Sequence, residues 1–168
     1  MVIFKYVLII FYTFGISKKG NKMQVVSVNI SEKKGTIKVP VDTIELTATG
    51  VKNDAHAGKW HRQVSLLAKE SNEKFALAAK RIVAYGEFAE NITTVGIVLH
   101  KTIPGDRLII GETELEITQI GKKCHGDNCA IFREIGSCVM PKEGIFAKVI
   151  TGGNIKAGDK LVYIPQSA

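Results

Sequence analysis

The chain has 168 residues, 45% of them hydrophobic, enough for one domain whose core is of ordinary size and needs no metal or disulfide to stabilise it. The formal charge of +7 includes four lysines and no acid within residues 1 to 22, so the remainder carries only +3, with both signs interspersed. That balance, with no aromatic residues interleaved along a basic stripe, argues against a nucleic-acid groove while remaining compatible with a small anionic ligand.

The opening MVIFKYVLIIFYTFGISKKGNKM is apolar from Val2 to Ile16 apart from Lys5 and Thr13, then turns basic. The apolar run falls short of the roughly 20 residues a spanning helix needs, so no stable membrane span is expected. Lys5 and the stretch Tyr6 to Ile16 imitate the first two regions of a signal peptide, but SKKG offers no small-residue cleavage site. Met23 stands immediately before the first periodic segment. Residues 1–22 are therefore read as a non-domain extension, an upstream stretch outside the natural start, a disordered or docked tail, or a membrane signal, and residues 23–168 as a single β domain.

Seven segments after Met23 read as strands: QVVSVNIS, TIELTA, QVSLLA, RLIIG, ELEITQIG, IFAKVITG and KLVYIP. Each is short, rich in β-branched residues and bounded by turn formers. NEKFALAAKRIVA predicts a helix over Asn72 to Ala84, with Phe75, Ala78, Ala79 and Ile82 on one face and Ser71 as the cap. A second short helix is predicted through NCAIFREIG. IPGDRLIIG and IKAGDKLVYIP echo each other as glycine-aspartate turns leading into strands, so Asp106 and Asp159 are read as turn residues. Many short strands, glycine-bearing turns and one inserted helix predict a closed or nearly closed barrel.

Three segments hold the candidate chemistry. VKNDAHAGKWHRQVSLL places Asp54, His56, Lys59, Trp60, His61 and Arg62 just before a strand. Arg62 suits bidentate binding of a phosphate, Lys59 adds a point charge, and His56 can donate a proton or hydrogen bond. A solvated loop in which Asp54 and His56 bond to each other explains the same residues equally well. In GEFAENITTVG, Glu90 and Asn91 stand between apolar residues and can anchor backbone near a pocket, although a strand-loop junction is the simpler account.

The third segment, GKKCHGDNCAIFREIGSCVMP, contains all three cysteines. An odd count with no clear sorting signal predicts at least one free thiol and a reducing compartment, the cytoplasm by default. Cys138, followed by Val139 and Met140, reads as a small buried hydrophobe. Cys124 and Cys129 bracket the polar loop HGDN beside Lys122 and Lys123, whose charge favours thiolate. Their spacing departs from the close pairs of structural zinc sites, although His125 or His56 could complete such a set. A thiolate here is suited to carrying sulfur as a persulfide or to ligating molybdenum. Serine nucleophile elbows, phosphate loops, dinucleotide fingerprints and HExxH sites are absent.

NDAHAGKWHRQVSLL, GEFAENITTVGI with IPGDRLIIG, and KCHGDNCAIFREIGSCVMPKEGIFAKVITGGNIKAGDKLVYIP together resemble the MOSC domain, in its small stand-alone bacterial form, over about Gln24 to Pro165. The resemblance implies an all-β fold, a strongly bent mixed β-barrel with one or two short inserted helices. It further implies association with the pterin-based molybdenum cofactor or with sulfur carriage. Cys129, with Cys124 as the close alternative, would be the molybdenum ligand or persulfide carrier; His56 would orient or protonate the bound group. Lys59, Arg62 or Lys122 would face the cofactor phosphate, while Asp54 matches the family's polar cluster and Glu90 and Asn91 its GxFxEN motif. Partners would be the cofactor itself or its biosynthetic and sulfur-donor proteins.

Asn53 departs from the glycine that often precedes this aspartate. No pyridoxal-phosphate domain or lysine site is expected within these residues, nor the amino-terminal β-barrel domain of the larger reductases. The alternatives are a small molybdenum-dependent reductase or sulfurtransferase and a non-catalytic, partner-binding β domain.

Overall fold

The computed structural model describes residues 22–124, 126, 132–133 and 138–166. The extension read over residues 1–22 therefore lies outside the described residues, Lys22 apart. So does the predicted second helix, except for Phe132 and Arg133, which are helical.

Strands β1 (Gln24–Ile30), β2 (Val39–Val41), β3 (Thr43–Thr47), β4 (Gly50–Val51) and β5 (Val64–Ala68) lead into helix α1 (Lys69–Ala79). β6 (Ile92–Val95), a 3-10 turn at Leu99–Lys101, β7 (Arg107–Ile110) and β8 (Thr113–Ile120) follow. The short helix α2 (Met140–Glu143) precedes β9 (Ile145–Thr151), β10 (Gly153–Lys156) and β11 (Leu161–Ile164). Eight strands form one sheet in the order β11-β7-β8-β9-β5-β6-β1-β2, and β10-β3-β4 form another. All pairings are antiparallel except β5 with β6, whose parallel register needs a crossover, supplied by α1 and the loop after it.

The barrel expected from the sequence is not what forms. The larger sheet is open, with β11 and β2 as its edges, and the other three strands make a separate small sheet. β2 is a poor closing strand: it has three residues, and Pro40 has no N–H to offer a further neighbour. An isolated bridge between Gln24 and Lys160 ties the start of β1 to the approach to β11 without a continuous ladder. The fold is thus a β-rich arrangement of two sheets of unequal size with an inserted helix.

The main apolar core lies among the strands and includes Val28, Leu66, Ile92, Leu108, Leu115 and Ile155. A smaller cluster of Leu67, Phe75, Phe88, Val139, Met140 and Phe146 packs under α1, with Phe75 and Phe88 edge to face at 4.8 Å. Helix α1 starts and ends earlier than the sequence predicts. Ser71 and Asn72 are buried within it rather than capping it, and the chain leaves the helix at Lys80 in a left-handed conformation. Of the predicted apolar face Phe75 is buried, whereas Ile82, beyond the helix end, is 92% exposed.

Between β8 and β9 the register shifts at Thr118. Such a bulge re-aims a side chain. Here the single Thr118 hydroxyl hydrogen lies between the backbone carbonyls of His61 and Phe146, tying the His61-Arg62 segment to the sheet.

Candidate functional site

The polar segment before β5 is organised by a buried ion pair. Lys38 and Asp54 meet directly, with side chains 1% and 0% exposed. Asp54 Oδ2 also accepts the backbone N–H of Ser31 at 3.1 Å, and Oδ1 accepts that of His56 at 3.0 Å. Burial opposes ionisation of Asp54, but the adjoining His56 and Lys38 side chains and the hydrogen bonds from the His56 and Ser31 backbone outweigh it. The carboxyl is held well below the usual carboxylate range. Burial lowers the Lys38 ammonium from its ordinary value, with Asp54 acting in the opposite direction.

Asn53, where glycine was the familial expectation, takes φ 63°. Asparagine tolerates this left-handed region better than most residues, so the turn presenting Asp54 is retained. The His56 ring, about one-third exposed, lies over the pair, with Nδ1 3.4 Å from Lys38 Nζ and 3.5 Å from Asp54 Oδ1. Trp60 Nε1 donates to the His56 carbonyl at 2.9 Å and so folds the loop over itself. Arg62 lies between two rings, with its guanidinium carbon 4.8 Å from the Trp60 centroid and 5.5 Å from that of Phe146. Arg62 Nε is buried and has no hydrogen-bond partner among the described residues. Lys59 is exposed.

Glu90 and Asn91 are more deeply buried, at 0% and 1% exposure. Asn91 Oδ1 accepts the Ser65 backbone N–H at 3.2 Å and its hydroxyl at 2.9 Å, while Nδ2 donates to the Asn29 carbonyl at 3.2 Å. One amide side chain thereby joins β5 and β1 on either side of β6. Glu90 Oε1 accepts from Gly86 N at 2.7 Å and Thr93 Oγ1 at 3.2 Å, and burial pushes its carboxyl up. The Lys38 backbone N–H donates to the Gly86 carbonyl at 2.9 Å. Glu90 therefore braces, through Gly86, the backbone that holds Lys38, while Asn91 ties neighbouring strands together.

Cys124 is exposed, and its Sγ accepts the backbone N–H of Gly126 at 3.4 Å. It lines a cleft of about 440 Å³ with Cys138, Lys74, Phe75, Phe132 and Lys142. Cys138 is half-buried against the smaller apolar cluster, and Lys122 is half-buried with its N–H directed to the Pro141 carbonyl at 3.3 Å. Cys129, the preferred ligand, lies outside the described residues, as does His125. Among the described residues no group of three or more His, Cys, Asp or Glu side chains gathers as a metal site. Phe146 links the two areas: its ring faces Arg62, and it belongs to the cluster against which Cys138 packs.

Sequence reasoning missed Lys38, Ser31 and Phe146. The signal for Lys38 was an inverted alternation in TIKVP, where Ile37 and Val39 are 56% and 54% exposed and the lysine between them points inward.

A β-rich domain with a buried Lys38–Asp54 pair under a polar loop and an exposed cysteine at a separate cleft is the class of protein these observations define. A family model described as MOSC domain matches residues 53–162, so the chain belongs to the MOSC domain family. This family is associated with molybdenum-cofactor and sulfur biology.

Among solved structures the chain is similar to the YuaD protein from Bacillus subtilis, at 18% identity and TM-score 0.71, covering 87% of this chain and 98% of that one. It is also similar to YiiM from Geobacillus stearothermophilus, at 21% identity and TM-score 0.67, over 84% of this chain and 75% of that one. YiiM from Escherichia coli matches at 22% identity and TM-score 0.58, over 88% and 71% of the two chains. At these identities the likeness shows the fold alone. No curated protein matches in sequence. Among the described residues no helix is long and apolar enough to cross a membrane.

Proposed function

We propose that residues 23–168 act as a molybdenum-cofactor-associated unit that binds the pterin cofactor, carries sulfur on a cysteine, or does both. The observation that carries this reading is the exposed Cys124 thiol at a cleft also lined by Lys142 and the Lys74–Glu143 ion pair, in a chain of the MOSC family.

The residues present fit such a group in two respects. An accessible thiolate is a soft donor suited to a thiophilic metal, and the buried, unpartnered Arg62 Nε is a cationic donor available to an anionic oxygen. Cys129 or Cys124 would hold the metal, and Lys59, Arg62 or Lys122 the phosphate. His56 would orient the bound group, while Asp54, Glu90 and Asn91 keep the supporting backbone in place. When bound, the cofactor would supply a redox-active metal centre for oxygen- or sulfur-atom transfer. Contacts with the Trp60 and Phe146 rings would hold the Arg62 guanidinium in place for an anion.

For sulfur carriage, the cysteine thiolate attacks the outer sulfur of a donor protein's persulfide. The donor's S–S bond breaks, its thiolate leaves, and the new persulfide remains on Cys129 or Cys124. Biosynthetic and sulfur-donor proteins are accordingly the partners.

Treatment with a small persulfide donor followed by peptide mass mapping tests the reading. The expected result is one added sulfur on Cys124 or Cys129, removed by mild reduction, with exposed Cys124 alkylating faster than half-buried Cys138. Uniformly slow alkylation and no added sulfur would contradict the sulfur-carrying role.

A further inference from the structure

We propose that Lys38 is a positioning residue that fixes His56 as the Nε2–H tautomer, with Nδ1 turned inward as an acceptor and Nε2–H left to donate to an anionic oxygen of a bound ligand. Hydrogen-bond supply around the buried ammonium decides the tautomer. An ammonium carries three hydrogens and no lone pair. In a buried setting each hydrogen needs an acceptor. Around Lys38 Nζ the structure offers Asp54 Oδ2 in direct contact, Ser31 Oγ at 3.4 Å and His56 Nδ1 at 3.4 Å. Three donors and three acceptors match only if Nδ1 bears no proton.

The competing arrangement has Nδ1–H donating to Asp54 Oδ1 at 3.5 Å. It would point the imidazole proton into the field of the ammonium and leave one lysine hydrogen without an acceptor. Oδ1 is already engaged by the His56 backbone N–H at 3.0 Å, so it does not need the ring proton. With Nδ1 committed to the buried pair, Nε2 is the remaining polar atom of a ring that is about one-third exposed. A neutral Nε2–H donor in the same segment as the Arg62 cation suits recognition of a phosphate or oxo oxygen.

The assignment of His56 to ligand contact rests on the function proposed above. The tautomer itself is read on the protein without ligand, so the two ideas fail separately. Heteronuclear NMR of the full chain labelled in its imidazole nitrogens distinguishes the forms, with His56→Gln identifying the His56 signals. At a pH where the ring is neutral, the expected spectrum has an unprotonated Nδ1 and a protonated Nε2. Lys38→Met should exchange that pattern, because Nδ1–H then donates to Asp54, whereas Lys38→Arg should preserve it. If Lys38→Met does not fold, the double variant Lys38→Met with Asp54→Asn removes both charges, and His56 should become a mixture of tautomers. A parent spectrum with Nδ1 protonated would overturn the proposal, as would a pattern left unchanged by Lys38→Met in whichever of the single and double variants folds. Binding of inorganic phosphate or molybdate in the parent should move the Nε2 resonance more than the Nδ1 resonance; the reverse order would overturn the outward assignment of Nε2–H.

Discussion

Replacing Asp54 with alanine is expected to destabilise the fold by about 3–5 kcal/mol, because the lysine left behind is buried and has no counter-charge. Lys38→Met should have an effect of similar size by stranding the aspartate. The double substitution to apolar residues of similar volume should recover much of either loss, since the isolated charge, rather than the missing attraction, dominates the penalty. Urea unfolding of the four proteins at neutral pH gives the comparison. A loss below about 1 kcal/mol in both single variants would place the pair among weak surface-like bridges and contradict its burial.

The pH dependence has a definite sign. Asp54 has a folded pKa below its unfolded value of about 4. The folded state therefore binds the proton less readily, and the stabilisation is fully present above the unfolded value. It is lost as pH falls through the folded value. The difference between the parent and Asp54→Asn should consequently persist at mildly acidic pH and shrink only under strongly acidic conditions.

Gly86→Ala is expected to destabilise by about 2–5 kcal/mol, combining a left-handed backbone with overpacking. Gly86 has φ 86°, and a Cβ built there would lie 2.3 Å from the Lys38 carbonyl oxygen and 2.9 Å from its carbonyl carbon. Backbone cannot yield as a flexible side-chain tip can. The same glycine accepts the Lys38 backbone N–H and donates its own N–H to the Glu90 carboxyl, so the displacement would reach the buried pair. Thermal unfolding should show the loss, and the His56 NMR signals should shift with the displaced lysine. Unchanged stability would mean that the loop can open without disturbing Lys38, against the close packing seen here.

Sequence pattern revealed β1, β3, β5, β8 and β9 over five to eight residues, as in TIELT, where Ile44 and Leu46 point inward, and the four-residue β7 and β11 because each follows a glycine-aspartate turn. It did not reveal β2, β4, β6 and β10, which have two to four residues and take their conformation from ladder partners. The barrel expectation rests on short strands, glycine-bearing turns, an inserted helix and the family resemblance, none of which decides whether the edge strands β11 and β2 meet. The helix was displaced because Ser71 and Asn72 read locally as a boundary but are buried in the tertiary structure.

At the candidate site, Asp54, His56 and Arg62 were legible as polar residues in one segment, and the structure brings the first two onto a common lysine while Arg62 packs between aromatic rings. Lys38 was not legible, because its partner is 16 residues away and its flanking residues suggested the opposite orientation. Glu90 and Asn91 are legible as polar residues between apolar ones, and in the fold they bond to Gly86, Ser65 and Asn29.

The most direct test of the cofactor reading is molybdenum and pterin content of the full chain, expressed anaerobically in cells that make the cofactor, beside Cys124→Ser and Cys129→Ser. Association predicts that the parent retains both components and that one serine variant loses them while keeping the parent's unfolding curve. A parent free of molybdenum and pterin, under conditions that load a known cofactor-binding control, would contradict that association.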